Sequence, residues 1–325
     1  MRPELVLGGI IPANLMAFDA NLEIDERNYR RHIRCLVDTP GVTGLTTNAH
    51  ASEVATLTLE EQQRSLDITL DEVARKVPII CGVYEDGTHK ATKIAKMAER
   101  QGADCLLVFP SAVFDFGHEL RPEMAYRHIA TIAEATSLPI IVFVYPATSG
   151  LHITTDSLVR ICSEIDNVIA VKEWSNDIGV YERNYRELRT LDKKISVLSS
   201  FSKSLLASLC IGADGILSGH GSVIADLHVK MFDAVKRGDL EEARLVADRM
   251  YPIVQVTYAE PFLDAHNRMK EALAILNRID EVHVRPPLQP ITDAEREKIR
   301  RAITEAELPD ARSEQLKTSA AREGS

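Results

Sequence analysis

The regular alternation of short apolar runs with amphipathic helical patterns constrains the fold of this 325-residue chain more than any other feature. Eight runs rich in apolar and β-branched residues begin roughly 30 residues apart, and each reads as a buried strand. The predicted strands lie at residues 9–14, 42–46, 77–83, 105–109, 140–144, 168–172, 195–199 and 215–218. The predicted helices lie at residues 25–37, 59–76, 90–101, 122–136, 155–164, 178–191, 203–211 and 224–236.

Eight strand and helix pairs predict an α/β fold of the (β/α)8 TIM barrel type, and they fit a doubly wound sheet less well. A dinucleotide-binding sheet would also carry a glycine fingerprint after its first strand, and that pattern is missing.

The sequence also contains signals for where helices begin and end. Thr58 and Glu61 have the spacing of a capping box. Gly41, Gly102 and Gly212 follow helical patterns, where a left-handed cap is often needed.

Three more helical patterns follow the eighth pair, at residues 240–251, 264–278 and 293–306. We therefore predict a barrel over residues 1–237 and a C-terminal helical extension over residues 238–308. Residues 309–325 are polar with few large apolar side chains, so we expect a disordered tail there.

Composition removes several classes of partner. The formal net charge of −10 and the absence of a Lys/Arg block argue against nucleic acid and anionic membranes as partners. No apolar stretch is long enough to span a bilayer, and no secretory signal pattern opens the chain, so we expect a cytoplasmic protein. The five scattered cysteines and the histidine spacings predict no disulfide, no metal and no cofactor.

Lys172 closes the apolar run Val168–Val171, at the strand end where barrel enzymes place their active sites. Period-two alternation puts Lys172 on the same face as Val168 and Ala170. Apolar surroundings disfavour the ammonium form, so such an amine is able to attack a ketone and form a Schiff base. The alternative at this point is an ordinary cation where a strand emerges into solvent.

Three other segments are candidates for the site. Residues 46–53 after the second predicted strand are mostly small or hydroxylated, so their backbone amides can hold a carboxylate. His50 in this loop is either an acid/base group or a hydrogen-bonded loop histidine. Tyr145 shares a strand face with Phe143 and is either a proton donor or a structural hydroxyl. The glycine-rich residues 212–221 allow a ligand to approach the backbone, and such turns also occur without any ligand.

These features together resemble the dihydrodipicolinate synthase/N-acetylneuraminate lyase family of Schiff-base aldolases over residues 8–303. Four segments carry the resemblance: Ser52-Glu53 with Ala55-Thr56-Leu57, Val168-Ile169-Ala170-Val171-Lys172-Glu173, residues 212–219, and Pro287-Leu288-Gln289-Pro290-Ile291-Thr292. The resemblance implies a barrel with a helical extension and a homotetramer built as a dimer of dimers. It also implies that Lys172 forms an imine with pyruvate or another 2-keto acid.

The resemblance further implies where the substrate binds. The keto-acid carboxylate would lie on the loop at His50, Ala51 and Ser52. The substrate would also contact four residues near the strand ends, namely Phe143, Trp174, Leu217 and Ser218.

This sequence departs from the family pattern where the family keeps its hydroxyl proton relay. The tyrosine that the family places three residues before the proline after the fifth strand is Phe143 here. The paired Thr/Ser of the strand-two loop correspond to His50 and Ala51, and the second-subunit tyrosine corresponds to Ala112 or Ser111. We therefore expect Tyr145 or His50 to take over proton transfer.

The synthase also has an arginine that grips the carboxylate of its second substrate, and that position is Thr148 here. One hydroxyl cannot replace a bidentate guanidinium contact, and Phe143 and Trp174 make the expected pocket more apolar. We therefore expect a lyase that performs aldol cleavage or condensation, or hydration or dehydration, on a 2-keto acid, and not a true dihydrodipicolinate synthase. The alternatives are a barrel enzyme without an imine that holds phosphate near Gly219 and Gly221, and a catalytically silent metabolite-binding homologue.

Overall fold

The computed structural model describes residues 5–200 and 202–310. Its strands are β1 (Gly9–Pro12), β2 (Leu45–Thr47), β3 (Ile79–Val83), β4 (Cys105–Val108), β5 (Ile140–Val144), β6 (Val168–Glu173), β7 (Ser196–Ser199) and β8 (Gly215–Ser218). Its helices are α1 (Glu26–Val37), α2 (Leu59–Val73), α3 (Thr88–Gln101), α4 (Glu123–Glu134), α5 (Thr155–Glu164), α6 (Ile178–Leu188), α7 (Leu205–Ile211), α8 (Gly221–Lys236), α9 (Leu240–Thr257), α10 (Ala265–Ile275) and α11 (Asp293–Glu305).

The eight strands form one parallel sheet that closes on itself. Each strand from β2 to β7 pairs with the next along the chain, and β8 also pairs with β1. Two isolated parallel bridges, Ile10 with Val42 and Ala13 with Thr46, join β1 to the segment of β2. The predicted (β/α)8 barrel is therefore confirmed, and the carboxyl ends of all strands meet at one rim.

The element boundaries differ from the prediction in places that have local causes. The second strand begins at Leu45 and not at residue 42, because Val42 donates to Thr39 in a turn. The helix predicted to stop at residue 251 continues through Pro252 to Thr257. The segment predicted as a helix from residue 203 begins as a 3-10 turn, Ser202–Ser204, ahead of α7.

The capping box predicted at Thr58 and Glu61 is confirmed, and the three glycines predicted near helix ends have positive φ angles. The Glu61 amide donates to the Thr58 hydroxyl at 3.2 Å, and the Thr58 amide donates to a Glu61 carboxylate oxygen at 2.9 Å. Gly41, Gly102 and Gly212 have φ angles of +89°, +102° and +125°. Side chains with a Cβ rarely adopt these angles. Gly102 and Gly212 are the caps of α3 and α7, whereas α1 is capped by Asp38 and Gly41 lies in the turn beyond it.

The strand that carries Lys172 is irregular at its start. Ile140 pairs with Val168 and Ile141 pairs with Ala170, so Ile169 is an extra residue in the ladder. The unbroken alternation predicted from Val168 to Lys172 is therefore interrupted at Ile169. It resumes at Ala170, and Lys172 lies two residues further on the same face.

The C-terminal helices α9, α10 and α11 fall within the predicted extension; α9 and α10 pack against α8, and α11 packs against α9 and α10. Lys270 of α10 forms an ion pair with Glu53, which follows β2, and both side chains are almost fully buried. The Lys270 ammonium also donates to the His283 carbonyl at 2.6 Å. The division at residue 237 stays a prediction, and the expected disordered tail lies outside the described residues from 311 onward.

No helix of the described ranges 5–200 and 202–310 is long and apolar enough to cross a membrane.

The buried ion pair generates a prediction about stability. Lys270→Met keeps the length of the side chain but leaves the Glu53 carboxylate buried without its cation. Removing one partner of such a pair costs about 3–5 kcal/mol in the free energy of unfolding, measurable by urea denaturation followed by circular dichroism. The control is Lys76→Met, whose half-exposed pair with Asp38 at 2.7 Å should be worth less than about 1 kcal/mol. Equal losses in the two variants would contradict the role of Lys270.

Candidate active site

Lys172 lies inside the barrel mouth and is 5 % exposed. Its amine lies 4.0 Å from the centroid of the Phe143 ring, the residue that it pairs with across the strands. Among the described residues, no carboxylate comes within 4.0 Å of it to form an ion pair. Burial therefore lowers the pKa of Lys172 from 10.5 to about 7. The amine that sequence analysis singled out is buried, and about half of it is uncharged at neutral pH.

The amine faces a cavity of about 450 Å³. Five residues predicted for the site line this cavity: His50, Phe143, Tyr145, Lys172 and Trp174. They come from three segments, namely the turn after β2, the end of β5 and the end of β6. The parallel barrel brings these segments together, since the carboxyl ends of its strands share one rim.

His50 and Tyr145 are hydrogen-bonded to each other beside the amine. Burial, together with the positive charges of His266 and Lys172, lowers the pKa of His50 to about 3. Burial also raises the pKa of Tyr145, and Tyr84 adds to this effect. Both side chains are therefore neutral near pH 7, so a proton is shared between a neutral phenol and a neutral imidazole.

Of the residues in the turn His50–Ser52, His50 lines the cavity. Residues His50–Ser52 form a single 3-10 turn, in which the Ser52 amide donates a hydrogen bond to the Ala49 carbonyl at 2.9 Å. The Ser52 hydroxyl is already engaged, since it donates to the Asn14 carbonyl at 2.9 Å. Ala51 is buried, and neither Ala51 nor Ser52 contributes a side chain to the cavity lining.

Leu217 and Ser218, predicted as substrate contacts, are not among the residues that line the cavity. Both are almost completely buried, and the Ser218 hydroxyl accepts from the His220 amide at 3.2 Å. Gly219 lines the cavity in their place. At Gly221 an added Cβ would lie 3.2 Å from the Cα of Pro12, so close packing explains this glycine without a ligand.

His266 is a site residue that sequence analysis missed. It is the second residue of α10, and its Nε2 would lie 3.1 Å from a Cβ placed on Gly219. Burial and the nearby charges of Lys172 and Lys270 lower its pKa to about 4. No local pattern marked His266, because its role depends on how α10 docks on the barrel.

The extension supplies a large part of the cavity wall, which was also not predicted. The lining residues that it contributes are Tyr258, Phe262, Leu263, His266, Pro287 and Leu288. Most of these side chains are apolar or aromatic. Thr148, which stands where the synthase pattern has an arginine, is exposed and does not line the cavity.

Among the described residues, no group of three or more His, Cys, Asp or Glu side chains is arranged to hold a metal ion.

The fold and the site together define a class of protein. A (β/α)8 barrel with a buried lysine of lowered pKa at the rim of its sixth strand has the arrangement of an enzyme that bonds covalently to a carbonyl substrate. The model of the Dihydrodipicolinate synthetase family matches residues 6–306. The chain belongs to this family and is a lyase of the Schiff-base, pyruvate-dependent kind.

Individual relatives agree with this assignment. The chain is 30 % identical over 297 residues to a 4-hydroxy-tetrahydrodipicolinate synthase of Neisseria meningitidis, covering 90 % of this chain and 98 % of the relative. It is 31 % identical over 283 residues to the protein of the same name from Syntrophus aciditrophicus, covering 87 % and 93 %. The crystal structure of dihydrodipicolinate synthase from Thermotoga maritima superimposes with a TM-score of 0.84 at 27 % identity, covering 93 % and 99 %.

The burial of Lys172 generates a prediction about pH. Its amine is protonated in the unfolded chain up to about pH 10.5 but in the folded chain only up to about pH 7. Folding therefore releases a proton between these values, so this lysine lowers stability at pH 7 and the penalty fades as the pH rises. Lys172→Met should raise the free energy of unfolding at pH 7 by up to about 4 kcal/mol, and by much less at pH 10.

Urea denaturation at both pH values measures the effect. The control is Lys194→Met, because Lys194 is exposed and its loss relieves no burial. A Lys172→Met gain that is the same at pH 7 and pH 10 would contradict the depressed pKa.

Proposed function

We propose that Lys172 forms an imine with a 2-keto acid of the pyruvate type. The observation that carries this proposal is the buried, ion-pair-free amine that faces a cavity and has its pKa lowered to about 7. A neutral amine is the nucleophilic form, and a lysine desolvated by apolar walls is a recurrent Schiff-base nucleophile.

The proposed reaction needs no group beyond the substrates and this chain. The Lys172 nitrogen attacks the keto carbon, and the keto oxygen leaves as water to give the imine. Loss of a proton from the adjacent carbon forms an enamine, which then attacks an aldehyde carbon while the aldehyde oxygen takes up a proton. Hydrolysis of the imine frees Lys172. Aldol cleavage is the reverse, and loss of the new hydroxyl as water gives the dehydration variant of the same chemistry.

We propose that backbone amides hold the keto-acid carboxylate. The amides of His50 and Ala51 open the 3-10 turn, and among the described residues neither donates to a backbone carbonyl. Amides at the start of a helical turn lack internal acceptors and suit an anion. The side chains of Ala51 and Ser52 then serve packing, and the carboxylate contact at this turn is a main-chain contact.

We propose that the hydrogen-bonded pair of Tyr145 and His50 performs proton transfer. The pair lines the same cavity as Lys172, and the Tyr145 ring lies 4.8 Å from that of Phe143, which contacts the amine. Two neutral groups that share a hydrogen bond are able to pass a proton without leaving a stranded charge. This pair stands in for the hydroxyl relay that the family pattern would supply at Phe143.

We further propose that this lyase differs from the synthases that it resembles in its second reactant. Its relatives from N. meningitidis and S. aciditrophicus are synthases by name. Support for a different reactant comes from Thr148, which is exposed and lacks a guanidinium. The rival reading, a phosphate site near Gly219 and Gly221, is weakened because the amides of Ser222 and Val223 already donate to the carbonyls of Gly219 and His220.

Trapping by borohydride tests the imine. Incubation with pyruvate and sodium borohydride should add the mass of a reduced pyruvate adduct at Lys172, located by peptide mass spectrometry. Under limiting pyruvate the trapping rate should rise about tenfold per pH unit below pH 7 and level off above it, since only the neutral amine reacts. Lys172→Arg keeps a long basic side chain but has no primary amine, so it should show no adduct. An adduct that persists in this variant, or a flat pH profile, would contradict the proposal.

Substitution of the relay tests proton transfer. Tyr145→Phe and His50→Phe should each lower kcat by about 10²–10⁴-fold, while borohydride trapping of pyruvate continues. Tyr84→Phe is the matched control, because it removes a hydroxyl from a ring that contacts His50 without disturbing the bond to Tyr145. Unchanged turnover in both relay variants would remove Tyr145 and His50 from the mechanism.

We also propose that the chain forms the homotetramer that the family resemblance implies. Support comes from exposed apolar side chains in the segment after β4, where Phe116 is 92 % and Leu120 is 83 % exposed. Such a patch on a soluble domain marks an interaction surface. Sedimentation equilibrium of the full chain should give four times its mass of 36.1 kDa, and Phe116→Asp should reduce the assembly. A wild-type monomer would contradict the proposal.

A further inference from the structure

We infer that the outer part of the active-site cavity is a subsite for an aromatic ring, and that the second reactant is an aromatic aldehyde. This inference rests on the proposed imine at Lys172 and names the acceptor of the same site. It is carried by three features of the cavity: its aromatic wall, its charges and its size.

A continuous series of rings runs outward from the amine. Phe143 lies against the Lys172 nitrogen, and the Trp174 ring lies 5.9 Å from Phe143. Trp174 stacks on Phe262 with centroids 5.4 Å apart, and Phe262 stacks on Tyr258 with centroids 5.6 Å apart. All four rings line the cavity. Stacked and edge-on aromatic contacts are favourable beyond the area that they bury, so this wall selects for a planar ring.

The charges of the cavity disfavour an anionic acceptor. Of the described side chains that line it, only Lys172 carries an amine and none carries a guanidinium. The proposed imine uses that amine. Glu53 also lines the cavity, and its charge is paired with that of Lys270, which is not among the lining residues. A second carboxylate on the substrate would therefore be desolvated without a cationic partner.

The size of the cavity exceeds what a three-carbon keto acid occupies. A volume of about 450 Å³ falls within the range of roughly 300–1,000 Å³ that is usual for drug-sized ligands. The barrel builds the end with Lys172, and the extension builds the outer end with Tyr258, Phe262 and Leu263. A keto acid at the amine therefore leaves part of the cavity free for a ring against the wall formed by Trp174 and Phe262.

Trp174 is the sole tryptophan of the chain, so its fluorescence reports on this subsite. In the full chain with pyruvate, titration with the unreactive probe benzyl alcohol should give a saturable change in emission. Hexan-1-ol should bind about tenfold more weakly, because it buries apolar area without stacking. The anionic probe 4-hydroxybutanoate should bind at least about a hundredfold more weakly, because its carboxylate finds no partner. Turnover of benzaldehyde, hexanal and 4-oxobutanoate with pyruvate should follow the same order in kcat/KM.

A pair of matched variants assigns the selectivity to the wall. Phe262→Leu keeps an apolar side chain but removes a ring, so benzyl alcohol affinity and benzaldehyde kcat/KM should fall about two- to tenfold, with hexanal almost unchanged. Phe232→Leu makes the same change on α8, away from the cavity, and should alter neither.

The outcomes separate the inference from the proposed function. A pyruvate adduct trapped at Lys172, with hexan-1-ol or 4-hydroxybutanoate bound as tightly as benzyl alcohol, would overturn the aromatic subsite and leave the imine standing. Absence of the adduct would overturn the imine and the aldehyde assignment with it. If Phe262→Leu and Phe232→Leu changed benzyl alcohol affinity and benzaldehyde kcat/KM equally, the aromatic selectivity could not be assigned to the wall.

Discussion

The buried ion pair between Glu53 and Lys270 is the contact on which the site depends. Glu53 directly follows the turn that carries His50, and Lys270 lies one helical turn after His266 on α10. The pair therefore fixes the strand-two turn against the C-terminal extension at the point where both reach the cavity. Two charges buried together hold a defined position, because separating them leaves each without a partner in a dry interior.

Around this fixed contact, burial favours the neutral forms of four titratable groups in the cavity. Desolvation is the largest influence on Lys172, His50, His266 and Tyr145, and it lowers the pKa of the three bases while raising that of the phenol. The positive forms of His50, His266 and Lys172 also disfavour one another. The apolar aromatic wall thus has two effects: it favours the nucleophilic, neutral form of the Lys172 amine, and it shapes the space beside that amine.

The sequence predicted the barrel because its strands and helices have strong and distinct periods, and because caps such as Thr58 with Glu61 act locally. It also identified Lys172, Tyr145 and His50, since each ends or follows a strand whose carboxyl end must face the rim. The contribution of His266 and Phe262 was not predictable in this way. Their positions depend on the docking of the extension, which long-range contacts determine and no local pattern records.

The prediction that Leu217 and Ser218 contact the substrate stays a prediction, and it depends on the same long-range contacts that concealed His266. Glycine-rich turns after a strand allow both a ligand and another part of the protein to approach the backbone, and their sequence does not distinguish the two. Here Gly219 admits the imidazole of His266, and Gly221 admits Pro12 of β1. The open backbone that suggested a phosphate is therefore filled largely by the chain itself.

The proposed relay also changes what the assembly has to do. In the pattern that this chain resembles, a second-subunit tyrosine completes the proton relay, and the corresponding position here is Ala112 or Ser111. His50 and Tyr145 belong to one chain and already share a hydrogen bond. Proton transfer by this pair needs no residue from a partner, so the exposed apolar surface near Phe116 would serve association and stability without completing the chemistry of the site.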